Sequence, residues 1–188
     1  MNYQTKKLGE ICDFEGGSQP PKSNFIFTAR NGYVRFLQIR DFKSEKHITY
    51  IPVSKKNRLC KKEDILIGRY GASVGQILTN EEGAYNVALM KTIPDLKIID
   101  HKFFYYYLIS DEFQKRLLKV SARSAQAGFS KEDIYNFPVL VPSLSEQKAI
   151  VKKLDNLLGQ TKKLEVLYEQ KIANLEELKK SVLNKSFM

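Results

Sequence analysis

Cysteine is nearly absent from this sequence, and what little there is excludes a metal-built or disulfide-built fold. Cys12 and Cys60 stand alone with no CxxC spacing, and only His47 and His101 could assist them, so a structural zinc site lacks its ligands. Long apolar runs are missing too. None approaches the roughly 20 residues a membrane-spanning helix needs, and the polar start Met1-Asn2-Tyr3-Gln4 has no signal-peptide core. The expected location is the cytoplasm. No basic amphipathic helix or lipidation signal is visible, which argues against a membrane surface as partner.

Catalytic constellations are equally scarce. Asn136-Phe137-Pro138 superficially resembles the Asn/Asp-Pro-Pro-aromatic motif of amino-methyltransferases, yet it opens a strand and no glycine-rich cofactor loop accompanies it. Pro94-Asp95-Leu96-Lys97 lacks the paired upstream acid of a metal-dependent nuclease, and turn chemistry explains it better. Gly68-Arg69-Tyr70-Gly71-Ala72-Ser73-Val74-Gly75 has phosphate-loop glycines without the Gly-Lys-Ser/Thr ending. The expectation is a chain with no catalytic residues, no metal ligands and no enzymatic activity of its own.

What is present is positive charge. Against 21 Asp and Glu stand 31 Lys and Arg, a formal net charge of +10 that favours a polyanion through counterion release. Nucleic acid is the leading partner class. With 188 residues, 43% of them hydrophobic, the chain can hold one full domain and an appendage.

The composition changes at Pro142. Up to that point lie all 6 prolines, 9 of the 10 glycines and 19 of the 21 aromatics, whereas Gly159 is the one glycine or proline of the remainder. The first part, residues 1–142, is expected to be a mixed sheet-and-helix domain, and the second, 143–188, a long helix of coiled-coil type. The class is α+β. Runs rich in β-branched and aromatic residues predict strands at Tyr33–Ile39, His47–Val53, Asp64–Ile67, Val74–Leu78, Ala84–Ile93 and Phe137–Val141. Asp100 is placed to cap a helix over Lys102–Val120, whose apolar face runs from Phe103 to Leu118. Ser130 to Asp133 has the capping-box pattern of a short helix.

Ser143 and Glu146 form a second capping box. Apolar residues then follow at Ile150, Leu154, Leu157, Leu164, Tyr168, Ile172, Leu175, Leu178 and Val182, mostly three or four apart, so they share one face. From Glu146 to Val182 is 37 residues, or about 55 Å of helix. Such a stripe is too extended for its own domain to cover, so part of it should meet another helix. Lys152, Lys153, Lys162, Glu165, Glu169 and Lys179 would flank that seam. A helix folded back on its own domain, broken at Gly159, is the alternative.

Arg123-Ser124-Ala125-Gln126-Ala127-Gly128-Phe129-Ser130, then Asp133-Ile134 and Phe137-Pro138-Val139-Leu140-Val141-Pro142, lead directly into Glu146-Gln147-Lys148-Ala149-Ile150. That order resembles the specificity subunits of type I restriction-modification systems, in which a Gly-Ser/Thr-x-Gln loop precedes a short helix, a proline-rich strand and a Pro-x-x-x-Glu-Gln-x-x-Ile helix start. Leu8-Gly9-Glu10-Ile11, Gly16-Gly17-Ser18-Gln19-Pro20, Arg35-Phe36-Leu37-Gln38-Ile39-Arg40-Asp41 and Glu63-Asp64-Ile65-Leu66-Ile67 agree with it. The departures are Arg123 for a glycine, Gly128 for an asparagine, Val87 for a glutamine and Ser143 for a proline. Family members commonly carry two recognition domains and two helices; this sequence has one of each and is expected to be a half-length subunit.

The resemblance implies a target-recognition domain reading a short sequence in the major groove of double-stranded DNA. The helix would separate two such domains and dock methyltransferase subunits, with restriction subunits joining the full complex. A half-length chain would pair with itself through the nine stripe residues, antiparallel, and read a palindromic bipartite target. The chain itself would bind no cofactor; S-adenosylmethionine, ATP and magnesium would belong to the partner subunits. Candidate DNA-contacting residues are Gln19, Lys22, Gln38, Arg40, Arg69, Tyr70, Ser73, Arg123, Ser124, Gln126 and Lys131. Arg pairs with guanine, Gln with adenine, and Lys mostly with phosphate. For each of them an ordinary solvated role is the competing account. The rivals to the whole reading are a DNA-binding regulator without modification enzymes, a nuclease or methyltransferase with an unrecognised site, and a coiled-coil adaptor.

Overall fold

The computed structural model describes residues 3–122 and 127–187. In chain order the elements are β1 (Gln4–Lys7), α1 (Leu8–Ile11), β2 (Cys12–Gly16), β3 (Tyr33–Leu37), β4 (Tyr50–Pro52), β5 (Leu59–Cys60), β6 (Leu66–Gly68), β7 (Ile77–Leu78), β8 (Gly83–Tyr85), β9 (Leu89–Pro94), α2 (His101–Ile109), α3 (Asp111–Ser121), α4 (Lys131–Ile134), β10 (Pro138–Val141) and α5 (Leu144–Ser186). The class is α+β. Contacts divide the chain into Met1–Gln147 and Lys148–Met188.

Two four-stranded sheets build the first unit. One has the order β2-β9-β6-β7 with every pair antiparallel; the other has the order β4-β3-β8-β5, in which β3 and β8 run parallel. A separate ribbon pairs β1 with β10. Side chains alternate across a strand, so neighbours in sequence face opposite ways. Ile65 and Ile67 therefore join Phe104, Leu108, Phe113 and Leu117 in the larger core beneath the helices. Leu66, between them, packs with Leu37, Cys60, Tyr85 and Leu89 from the second sheet. Phe36, Ile51 and Ala84 form a third cluster with Phe25 against it.

Two expected elements are divided. The helix expected over Lys102–Val120 is α2 and α3, because Ser110 takes an extended conformation and its hydroxyl accepts from the Phe113 N–H at 3.4 Å. Asp100 caps α2 as expected, accepting from the N–H groups of Lys102 and Phe103, both at 3.0 Å. The strand expected over Ala84–Ile93 is β8 and β9, parted by a turn in which the Asn86 side chain accepts from the Ala88 N–H at 3.1 Å.

The long helix starts where the capping box lies. The Ser143 N–H donates to Glu146 Oε2 at 3.1 Å, and the Glu146 N–H donates to Ser143 Oγ at 3.4 Å. Its first turn belongs to the first unit through Gln147, which is fully buried. The Gln147 amide donates to Ile98 O at 3.0 Å and Pro142 O at 2.9 Å, and accepts from the Asp100 N–H at 2.7 Å. All 43 residues of α5 are helical, Gly159 included, so no break occurs there. Leu157, Leu164, Tyr168, Ile172, Leu175, Leu178 and Val182 are exposed, as are Leu158 and Leu167; Ile150 and Leu154 are half-buried.

Candidate nucleic-acid interface

The sheet topology gathers five segments at one end of the two sheets. Beyond β2, the Gly17 N–H donates to Leu89 O at 3.0 Å and the Ser18 N–H to Tyr85 O at 3.1 Å. Beyond β8, the Asn86 N–H donates to Leu37 O at 3.1 Å, where β3 ends. Beyond β6, the Arg69 N–H donates to Ala88 O at 2.8 Å. The next residues reach the segment ahead of α4: the Gly71 N–H donates to Ala127 O at 2.9 Å, and Tyr70 forms a bridge with Gly128. Residues 17–19, 38–42, 69–75, 86–88 and 127–130 thus form one cluster of backbone turns.

Arg69 links three of these turns. Its Nε donates to Phe129 O at 3.3 Å, and its guanidinium carbon lies 5.0 Å from the centre of the Tyr70 ring. It also abuts Gly16, where an added Cβ would come within 2.9 Å of Nη1. Tyr70 is 39% exposed, which leaves part of its ring available to a partner. The Ser73 hydroxyl closes its own turn by donating to Tyr70 O at 2.7 Å.

Gln38 opens the 3-10 turn Ile39–Phe42, with its N–H donating to Asp41 Oδ2 at 2.7 Å. The Gln38 Nε2 is buried and has no hydrogen-bond partner, so contact with DNA would require that side chain to turn outward. Arg40 is exposed, its Nε 3.9 Å from Asp41 Oδ1. Gln19 is exposed one residue beyond the anchored Ser18, and Lys22 is exposed on a 3-10 turn, Lys22–Asn24. Lys131 begins α4, its Nζ 3.9 Å from Asp13 Oδ1 and 5.5 Å from the Tyr135 ring centre. Arg123, Ser124 and Gln126 lie outside the described residues. The cluster therefore assembles Arg69, Tyr70, Ser73, Gln38 and Arg40, with Gln19 at its margin.

Sequence reasoning did not single out Asn86 and Val87 as contact candidates, although their turn sits between the others and Val87 is exposed. An asparagine interrupting an otherwise apolar strand-like run was the available signal. Glu15, also not singled out, lies beneath the cluster. It accepts from the Tyr85 hydroxyl at 2.9 Å and Arg58 Nη1 at 2.9 Å, with Lys91 Nζ at 3.6 Å, joining β2, β8 and β9 through one carboxylate. Burial, reinforced by this carboxylate, pushes the Tyr85 hydroxyl far above its ordinary pKa.

Asp41 offers a pH test of the Gln38–Arg40 turn. It is 2% exposed, and burial holds its carboxyl above the ordinary carboxylate value, against the opposing effects of the Gln38 N–H and of Arg40, Arg35 and His47. The native state thus binds this proton more tightly than the unfolded chain does. Its contribution is fully present below the ordinary value and is lost as pH rises through the raised one. Asp41→Asn keeps an acceptor for the Gln38 N–H and is expected to flatten that slope, leaving the variant the more stable above the window. Urea unfolding across the carboxylate range measures this; a pH dependence equal to that of the unsubstituted chain would refute it.

No helix among the described residues is long and apolar enough to cross a membrane. Among the described residues no group of three or more His, Cys, Asp or Glu is placed to hold a metal ion.

Known proteins resemble this chain both in sequence and in fold. The family described as "Type I restriction modification DNA specificity domain" matches residues 1–177. The chain is 28% identical over 160 residues to the type I restriction enzyme EcoBI specificity subunit of Escherichia coli, which covers 84% of this chain and 32% of that protein. It is 23% identical over 182 residues to the MjaVIII specificity subunit of Methanocaldococcus jannaschii, covering 94% and 42%. The chain therefore spans about a third to two-fifths of the length of these relatives. Among solved structures, one described for complex assembly and conformational transition of the type I R-M system shares the fold at a TM-score of 0.78 and 24% identity, over 99% of this chain and 46% of that one. The HsdS subunit from Thermoanaerobacter tengcongensis shares it at 0.67 and 23%, over 87% and 39%.

Proposed function

Since the chain belongs to the family of type I restriction modification DNA specificity domains, we propose that it selects the DNA sequence on which a modification and restriction complex acts. The observation that carries this is the gathering of the 17–19, 38–42, 69–75, 86–88 and 127–130 turns at one end of the sheets, on a chain of net charge +10. Turns held by backbone hydrogen bonds present side chains at set positions. Arg69 and Gln19 carry the donors that pair with base edges, and Arg40 carries charge for phosphate.

The chain catalyses nothing itself in this reading. Methyltransferase and restriction subunits bring S-adenosylmethionine, ATP and magnesium, and the assembly works in the cytoplasm. The exposed stripe of α5 supports self-association through Leu157, Leu164, Tyr168, Ile172, Leu175, Leu178 and Val182, with Ile150 and Leu154 at the start of the same face. Leu158 lies one residue from Leu157 and widens the face beyond the two positions per heptad of a simple two-stranded seam. Such width supports a second helical neighbour, as docking to a methyltransferase requires.

Selection from a random duplex library by the chain assembled with its methyltransferase tests the function. A two-part palindromic motif is expected, because two identical domains related by a two-fold axis read two identical half-sites. Arg69→Ala should lose discrimination at one position of each half, at about 1–3 kcal/mol per lost base contact. Retention of all sequences alike by the unsubstituted complex would reject the proposal.

A further inference from the structure

Phe27 is an exposed aromatic residue held in place by backbone. It is 72% exposed, yet its neighbour Ile26 exchanges both hydrogen bonds with Tyr50, at 3.0 and 2.8 Å. Its exposure is therefore built into the fold rather than the result of a loose segment. Beside it opens a cleft of about 620 Å³ lined by Arg40, Lys46, His47 and Tyr50, with Glu45 the one acid among the lining residues. Cations so placed disfavour an apolar partner, while an exposed phenyl ring gains nothing from a small free anion. A polyanion with apolar faces along its backbone suits both.

The cleft is continuous with the cluster of turns. β3 and β4 are antiparallel with Arg35 opposite Tyr50, so the start of β4 lies at the end of β3 from which Gln38 and Arg40 follow. Arg40 belongs to both features. Duplex DNA lying on the turns would carry its next phosphates toward this opening.

We propose that the Phe27 cleft grips the backbone of duplex DNA beside the bases read by the turns, Arg40 and Lys46 meeting phosphates and the Phe27 ring meeting deoxyribose. This rests on the DNA-reading function above and adds a sequence-independent contact to it. Arg40 is thereby a phosphate ligand, not a base reader. The 3-10 turns Ile39–Phe42 and Glu45–His47 hold the two cations on one side of the cleft.

The test uses the full chain and a duplex of scrambled sequence, with affinity measured across a salt series. Each phosphate contact steepens the plot of log affinity against log salt by about 0.9. For each recognition domain on the duplex, Lys46→Ala should lower the slope by about 0.9 and Arg40→Ala with Lys46→Ala by about 1.8, so a bound pair of chains shows twice these changes. Phe27→Ala should weaken binding at every salt concentration while leaving the slope as it was. Circular dichroism reports whether each variant is folded. Wild-type slope and affinity in folded Lys46→Ala and Phe27→Ala would overturn the proposal. A library selection run in parallel separates the two readings. A flat selection with altered slopes refutes sequence reading and supports the cleft; a clear motif with unaltered slopes does the reverse.

Discussion

Replacing Leu164 and Ile172 together by Glu is expected to abolish the self-association proposed for the α5 stripe and leave the chain monomeric. Both residues are exposed in the single chain, at 53% and 59%, so neither carboxylate is forced into an interior there. Glu is at least as good a helix former as Leu or Ile, so α5 itself should persist. In the proposed pairing the same positions lie in the seam. An uncompensated buried charge costs about 3–5 kcal/mol, and each pair of chains would bring four of them. The expected loss therefore exceeds the factor of ten that corresponds to about 1.4 kcal/mol several times over. Sedimentation at several concentrations reads the association, and circular dichroism reads the fold of both units. A wild-type chain that stays monomeric at high concentration, with its methyltransferase also present, would sink the half-subunit reading. A double variant that still dimerises would move the seam elsewhere on the helix.

The helix could be read from the sequence because its signals are local. Spacing of threes and fours, the Ser143–Glu146 box and the lack of proline each act within one or two turns, and α5 begins and continues as those signals indicate. The break at Ser110 was hidden for the opposite reason. Phe103, Phe104, Tyr107, Leu108, Phe113 and Leu117 keep a helical spacing across it, and only the conformation of one residue separates α2 from α3. β1 carries no strand signal at all, since Gln4-Thr5-Lys6-Lys7 is polar throughout and becomes a strand only by pairing with β10. Short strands such as β7, with two residues, are likewise products of tertiary pairing.

The candidate interface was legible residue by residue but not as an arrangement. Arg69, Tyr70 and Ser73 were visible as a turn of useful chemistry, and Gln38 and Arg40 as polar residues after a strand. Nothing local says that these turns meet. That follows from the parallel pairing of β3 with β8, which brings Leu37 beside Tyr85, and from β9 running antiparallel to both β2 and β6. The Phe27 cleft was invisible for the same reason. Ile26 and Tyr50 are far apart in sequence, and only their bridge fixes the aromatic residue beside Lys46 and His47.

The approach of the 17–19 turn to the 86–88 turn depends on the side chain missing at Gly17, and a pair of glycine substitutions exposes this. At Gly17 an added Cβ would lie 2.0 Å from Asn86 O and 2.5 Å from Tyr85 O, both backbone atoms. Asn86 cannot withdraw freely, because its N–H donates to Leu37 O at 3.1 Å and Tyr85 lies fully buried. Overpacking of this kind typically costs about 1–3 kcal/mol, more where backbone must move. Gly17→Ala should therefore lose stability by at least that amount and lose sequence selection with it, since the 17–19 and 86–88 turns are forced apart. Gly159, in contrast, meets nothing within 4 Å, and it sits inside α5. Gly159→Ala should stabilise the helix by about 0.8–1 kcal/mol, the difference in helix propensity, and leave sequence selection as it was. Urea unfolding followed by library selection distinguishes the two. A Gly17→Ala chain that unfolds at the wild-type urea concentration and selects the wild-type motif would show that the turns do not owe their positions to this contact.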